Sequence, residues 1–264
     1  MLLINTEIKE NLKLPYLALL VGMFAISTSA ILIRYSNSEP LVIGTYRQAF
    51  ATLAFLPFIF KDRGAEISSQ SNSTLLEMAL TGILLGAHFS FFITSVKETS
   101  VAASVLLATC HVVYVAILGK IFFGETLSKK AIIGTTIALG GILVLFGGDL
   151  IDNPGNFKGN FYAFVAGVLA GLYYLSGRKL RRTISLPTYA FVVYFFSFIS
   201  MFTVVLIQNL NYENLPISEI RLFLLMALIP TLLGHTMQNW AIGYLPAYVA
   251  VSYTHLTLPT TRHV

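Results

Sequence analysis

The chain has 264 residues, 56% of them hydrophobic and 11% charged, with a mean hydropathy of +0.76. A soluble domain is roughly 45–50% apolar and about 25% charged, so this composition lacks the polar surface of a water-soluble enzyme and the polarity of a disordered segment. The net charge of +5, from 17 basic and 12 acidic residues, is not gathered into the patch that nucleic acid requires, and the lone Cys110 supports neither a disulfide framework nor a zinc site.

A bilayer crossing takes about 20 apolar residues. On that measure nine spans are predicted, over roughly 15–35, 40–60, 74–96, 99–123, 129–147, 159–179, 187–207, 220–243 and 246–258. The runs are too long for barrel strands and lack alternation, so they are expected to be helices that satisfy their own backbone hydrogen bonds. The first span follows Lys9 and Lys13 and contains Ser27-Thr28-Ser29-Ala30, which has the look of a signal-peptide cleavage region. Ile31-Leu32-Ile33 carries the apolar run on to spanning length, so an uncleaved helix is expected.

Basic residues set the orientation. With the N-terminus inside, the cytoplasmic segments hold Lys9, Lys13, Lys61, Arg63, Lys120, Lys129, Lys130, Arg178, Lys179, Arg181 and Arg182. The outer segments hold only Arg34, Lys97, Lys158 and Arg221. Eleven against four predicts a multi-pass protein of the plasma membrane with its N-terminus in the cytoplasm. The cluster at 178–182 reads as a positive-inside anchor, with an anionic-lipid site as the competing reading.

The halves repeat. A shift of 147 carries Leu85 onto Leu232, His88 onto His235 and Ala103 onto Ala250, and a shift of 145 carries Gly22 onto Gly167 and Ala25 onto Ala170. Five spans per repeat is an odd number, so the second copy is inverted, the plan of secondary transporters with a midplane site. The expected fold is an all-α polytopic membrane helix bundle, an inverted repeat of five helices with about nine of ten spans present. Its parts are an N-terminal cytoplasmic segment (1–14), the first repeat (15–147), an external linker (148–158), an incomplete second repeat (159–251) and a threonine-rich tail (252–264). That tail does not continue the repeat, and a truncation or frame shift is the expected cause, against a natural nine-helix protein.

The stretch 94–146 carries the short turn Lys97-Glu98-Thr99, then Ala102-Ala103-Ser104, a long apolar helix, Gly124-Glu125-Thr126-Leu127, and a helix with Gly134, Gly140 and Gly141. Together with Arg47 early in the second span, it resembles the EamA family of the drug/metabolite transporter superfamily. The resemblance implies a ten-helix carrier, often an exporter, of amino acids, nucleobases and other small metabolites. His111 stands where that family usually has a proline in its fourth helix, so substrate identity does not transfer.

Polar groups in lipid are costly and tend to face cavities. At about 1.5 Å per residue, Arg47 lies roughly 10 Å below the outer face and His88 about 21 Å above the inner face, a similar depth. The two are expected to share an outer pocket able to hold a carboxylate or phosphate, the alternative being that Arg47 snorkels or bonds carbonyls at a bend. His235, Gln238 and Asn239 share a helix face and, with Tyr194, form an expected inner cluster, with His111 midway between the two. Plain interhelical hydrogen bonding is the competing role for each. One of Tyr173 and Tyr174 is expected on the cavity, whereas Trp240 and Tyr244 read as interfacial aromatics and Phe89, Phe91 and Phe92 as packing or lipid contact.

Gly82, Gly86, Pro230 and Gly234 are the expected hinge positions, with close helix packing as the alternative. Pro230 frees the carbonyl of Met226 and should kink its helix before His235. No carboxylate lies deep in any span; Glu77, Glu125 and Asp149 sit at ends or turns. Facilitated diffusion or exchange is therefore expected, with histidine-mediated proton coupling as runner-up and potential-driven efflux if the substrate is anionic. No cofactor or metal is implied. Small-molecule substrate and lipid are the expected partners, and the oligomeric state is left open, a monomer included. An enzyme is not expected: the histidines lack metal spacing, and Ser104 and His111 are about 10 Å apart along one helix. A non-transporting truncated protein or sensor is the other alternative.

Overall fold

The computed structural model describes residues 13–111, 113–115, 121, 129–152 and 154–245. The ninth span, the tail with His255 and His263, the Gly124-Glu125-Thr126-Leu127 turn and residues 1–12 lie outside them. Every described element is helical: α1 (Lys13–Ser27), α2 (Ser29–Tyr35), α3 (Pro40–Phe58), α4 (Gly64–Ser68), α5 (Asn72–Glu98), α6 (Val101–Thr109), α7 (Lys129–Asp152), α8 (Phe157–Leu180), α9 (Leu186–Ile207), α10 (Ile217–Met226) and α11 (Thr236–Ala241). Wider π-turns follow α3 at Ile59–Arg63 and join α10 to α11 at Ala227–His235.

Local chemistry sets the boundaries. Pro40 opens α3 after an extended Glu39. Ser71 and Ser100 cap α5 and α6, their hydroxyls accepting from the amides of Thr74 and Ala103, both at 3.1 Å. Thr28 separates α1 from α2; its hydroxyl and that of Ser27 donate back to the carbonyls of Ala25 and Phe24, loosening the helix there.

Among the described residues five helical stretches are long and apolar enough to cross a membrane: 14–35, 40–61, 72–98, 186–207 and 217–241. The 24-residue α8 has the length but is less apolar; it lies inside the bundle, with glycine, asparagine and tyrosine turned to neighbouring helices. On α7, Ile137, Leu143 and Val144 stand exposed, and Gly134, Gly140 and Gly141 meet no neighbour among the described residues.

Three antiparallel pairings build the body. α5 lies on α8, joined by Glu77–Lys179 (2.8 Å), Thr81–Ser176 (2.5 Å) and, at the other end, Thr99–Asn160 (2.9 Å). α1 crosses the 227–235 turns where Gly22 meets Gly234; a Cβ on Gly234 would stand 2.6 Å from Ile26 Cγ1. α3 lies on α9, with Gly44 against Met201 and Phe55 against Tyr194. Exchanging first span for sixth, second for seventh and third for eighth leaves these three pairings unchanged.

Two carboxylates tie opposite ends of the bundle. Glu66 accepts from the amide (2.8 Å) and hydroxyl (2.5 Å) of Ser185 and from the Thr188 hydroxyl (2.7 Å), at the start of α9. Glu219 accepts from the Asn37 amide (2.9 Å) and from the hydroxyls of Ser36 and Ser38, just before α3. Both are anions placed at helix N-termini. Within the cluster at 178–182, Arg178 donates to the Ile242 carbonyl (2.8 Å) and Arg181 to that of Asn239 (3.2 Å). These cations fasten α8 to the C-terminal end of α11.

Candidate functional site

A cavity of about 150 Å³ lies where α1, α2, α5, α6, α8 and the 227–241 segment converge. Its wall is mostly apolar, with aromatic sides from Phe89 and Phe92 and polar atoms from Ser29, His88, His111, Tyr174, His235 and Gln238.

The imidazoles of His88 and His235 face one another, ring centroids 6.4 Å apart. The separate outer and inner clusters expected from helix depth are therefore one cluster. Side chains on a helix lean toward its N-terminus, and α5 and the 217–241 segment run in opposite directions. The two rings thus lean toward each other, which counting rise per residue does not capture.

The hydrogen bonds fix how each ring is presented. His88 Nδ1 lies 2.8 Å from the Ala166 carbonyl, which can only accept, so Nδ1 carries the hydrogen and Nε2 is the acceptor of the ring. His111 Nδ1 likewise donates to the Ala108 carbonyl at 2.9 Å. Tyr174 donates its hydroxyl hydrogen to Gln238 Oε1, and its oxygen lies 3.5 Å from His235 Nδ1.

Three of the expected substrate residues are not on this wall. Asn239 is closed off by a two-way exchange with the Tyr173 hydroxyl (2.8 and 2.6 Å). Tyr194 bonds Thr236 at 3.0 Å and packs against Phe55. Arg47 is fully buried one layer behind the wall: Nε donates to Thr231 Oγ1 (2.6 Å), Nη1 to Ser29 Oγ (3.0 Å), and the guanidinium lies 4.2 Å from the centroid of Phe89. It therefore shares no pocket lining with His88, because Phe89 and Ser29 stand between it and the void. Its Nη2 has no partner among the described residues.

Arg47 instead completes the repair of a broken helix. Pro230 has no amide hydrogen for the Met226 carbonyl, as its position predicts. The Thr231 hydroxyl donates to that carbonyl at 3.0 Å while accepting from Arg47. The outcome is a run of π-turns over Ala227–His235 rather than a simple kink. Of the other hinge positions, Gly82 and Gly86 press on the α9 backbone: a Cβ on Gly82 would stand 2.6 Å from the Val193 carbonyl, and one on Gly86 3.0 Å from that of Ser197.

Sequence reasoning missed Ser29, and it read Phe89 and Phe92 as packing. The hydroxyl run 27–29 inside an otherwise apolar span was the available signal for Ser29. Between Tyr173 and Tyr174, Tyr174 is the one on the cavity. Among the described residues no group of three His, Cys, Asp or Glu side chains is placed to hold a metal ion.

Known proteins fit this architecture. The chain is similar to an "Uncharacterized transporter" of Archaeoglobus fulgidus, 28% identical over 148 residues, covering 56% of this chain and 51% of that protein. It is also similar to an "Uncharacterized transporter" of Helicobacter pylori strain J99, 23% identical over 163 residues, covering 60% and 52%. These matches span about half the length of either relative. A solved structure described only as "Crystal structure of protein" has the same fold, with TM-score 0.64 and 18% identity over 92% of this chain and 86% of that one. The EamA-like transporter family matches residues 13–147 and 157–260, so the chain is a multi-pass membrane protein belonging to that family.

Proposed function

We propose that the protein is a secondary, non-ATP carrier that moves small organic metabolites, of the class of amino acids, nucleobases or organic anions, by alternating access between two inverted helix bundles. One observation carries this reading: His88 and His235, related by the shift of 147, meet across one cavity. A site at the meeting of two repeats is what a rocking carrier needs, since each half contributes one wall. The pairing of α1 with the 227–241 segment, mirrored by that of α5 with α8, supports the inverted plan.

The positive-inside count supports a plasma-membrane location with the N-terminus in the cytoplasm. Among the described residues the cavity wall has no carboxylate to carry a proton or sodium ion, which favours facilitated diffusion or exchange, outward for an exporter. Membership of a transporter family favours a carrier over an enzyme. The test is counterflow in proteoliposomes. Liposomes preloaded with each of a panel of amino acids, nucleobases and organic acids are diluted into trace labelled substrate. Accumulation that is lost in His235→Ala, with the variant still folded, is expected; absence of counterflow for every class contradicts the carrier.

A further inference from the structure

The polar atoms around the cavity are arranged to sort ligands by charge. Arg47, the buried cation nearest the cavity, is sealed off by Phe89 and engaged with Thr231 and Ser29. Among the described residues, no arginine or lysine lines the cavity, so an anion there makes no direct contact with a fixed cation. No aspartate or glutamate among the described residues lines the cavity either, so an ammonium group finds no counter-ion among them. Desolvating an ion without a partner is costly.

What the wall does offer is a mixed rim of neutral donors and acceptors between aromatic faces. With Nδ1 of His88 committed to Ala166 and Nδ1 of His235 directed to Tyr174, Nε2 of each cavity-lining ring is the nitrogen left for a ligand. A neutral imidazole there accepts a hydrogen bond. Gln238 uses its oxygen on Tyr174, so its NH₂ is the group left for a ligand. Ser29 accepts from Arg47 and keeps its own hydrogen to donate, polarised by the charge behind it. Phe89 and Phe92 supply flat apolar faces on either side of His88, whose ring lies nearly parallel to that of Phe92 at 11°.

Resting on the carrier reading above, we propose that this cavity takes an uncharged planar heterocycle whose edge carries both N–H and C=O or ring-nitrogen groups, a ring of nucleobase type, and rejects carboxylates. Ligand N–H groups donate to Nε2 of His88 and His235. Ligand acceptors meet the Ser29 hydroxyl and the Gln238 amide. The ring plane lies against the aromatic side chains.

The test is equilibrium binding to the full chain purified in detergent, with four probes: uracil and adenine as uncharged rings, orotate as the uracil ring bearing a carboxylate, and 1,3-dimethyluracil as the ring without N–H donors. Uracil or adenine is expected to bind. Orotate and 1,3-dimethyluracil are expected to bind at least tenfold more weakly than uracil, the scale of one unmade hydrogen bond or an uncompensated charge. Because these contrasts use the wild-type chain, they stand even if a cavity variant fails to fold. In folded His235→Gln, binding of the uncharged ring is expected to weaken by about the same factor. Orotate binding as tightly as uracil, 1,3-dimethyluracil matching uracil, or failure of both uracil and adenine to bind would overturn the assignment. Binding of an uncharged ring without counterflow of any substrate contradicts the carrier and leaves the ligand class standing. Counterflow of orotate with no binding of uracil or adenine does the reverse.

Discussion

The helix that carries His88 and the one that carries His235 are related by the shift of 147 in the sequence and are built differently. α5 is an unbroken α-helix of 27 residues. Its counterpart, 217–241, changes to π-turns at Ala227 and returns to α-helix only at Thr236. One residue starts the difference: Pro230 stands where the shift of 147 places Ile83. The histidines are secured in the same contrasting way. His88 is held at 2.8 Å by a main-chain carbonyl of α8, His235 only by a 3.5 Å approach to a tyrosine hydroxyl. One wall of the cavity thus comes from a continuous helix and the other from an interrupted one, and Arg47 is the clamp on the interrupted one through Thr231.

Removing that clamp should have the largest effect. Arg47→Ala breaks the bonds to Thr231 and Ser29 and leaves a void beneath Phe89. A loss of about 3 kcal/mol is expected in detergent unfolding, and Arg47→Lys should recover less than half of it because an ammonium cannot serve both hydroxyls with a planar fork. Recovery of full stability by lysine would remove the geometric role of the fork.

The glycines sharpen the contrast between the walls. A Cβ on Gly82 meets main chain of α9, which cannot yield, whereas one on Gly234 first meets Ile26 Cγ1, which can rotate. Gly82→Ala should cost about 2 kcal/mol and Gly234→Ala under about 1 kcal/mol, read as the difference in thermal midpoint. Equal costs would mean that the two crossings are equally tight.

Thr231→Val keeps the shape and removes the hydroxyl that serves the Met226 carbonyl and the Arg47 guanidinium. About 1–2 kcal/mol is expected, with little further loss when it is combined with Arg47→Ala, since the two act as one unit. Full additivity in that double-mutant cycle would disprove the link. A stability change as small as that of Gly234→Ala, under about 1 kcal/mol, is expected for Pro230→Ala, because the Thr231 bond already satisfies the freed carbonyl. Its effect should appear in transport rate. A rate unchanged by Pro230→Ala would show that the π-turns take no part in the cycle.

Much of this was legible in the sequence. Seven of the first eight predicted spans correspond to described helical segments to within about five residues, and the described part of the other, 99–123, is helical over Val101–Thr109, because lipid forces helices wherever an apolar run is long enough. His88, His111, His235 and Gln238 were legible as cavity residues because polar groups are scarce in such runs. Arg47 was found for the same reason but given the wrong neighbours: sequence gives its depth, not that Phe89 lies over its guanidinium. Tyr194 and Asn239 show the same limit, since whether a buried polar group faces a void or a partner depends on the helix opposite. The π-turns could not be read from Pro230 alone, because they also depend on Thr231 and on an arginine 184 residues away along the chain.

The central claim is a single cavity walled by both halves. In a Cys110→Ala background, Ala170→Cys on the cavity wall and Ala163→Cys, buried two turns away on the same helix but off the wall, are exposed in membranes to a water-soluble, membrane-impermeant methanethiosulfonate reagent. Ala170→Cys should be modified and Ala163→Cys protected, with the uncharged ring that binds slowing the first reaction. Equal protection of the two, or equal modification, would contradict the cavity and with it the assignment of His88 and His235 to a shared site.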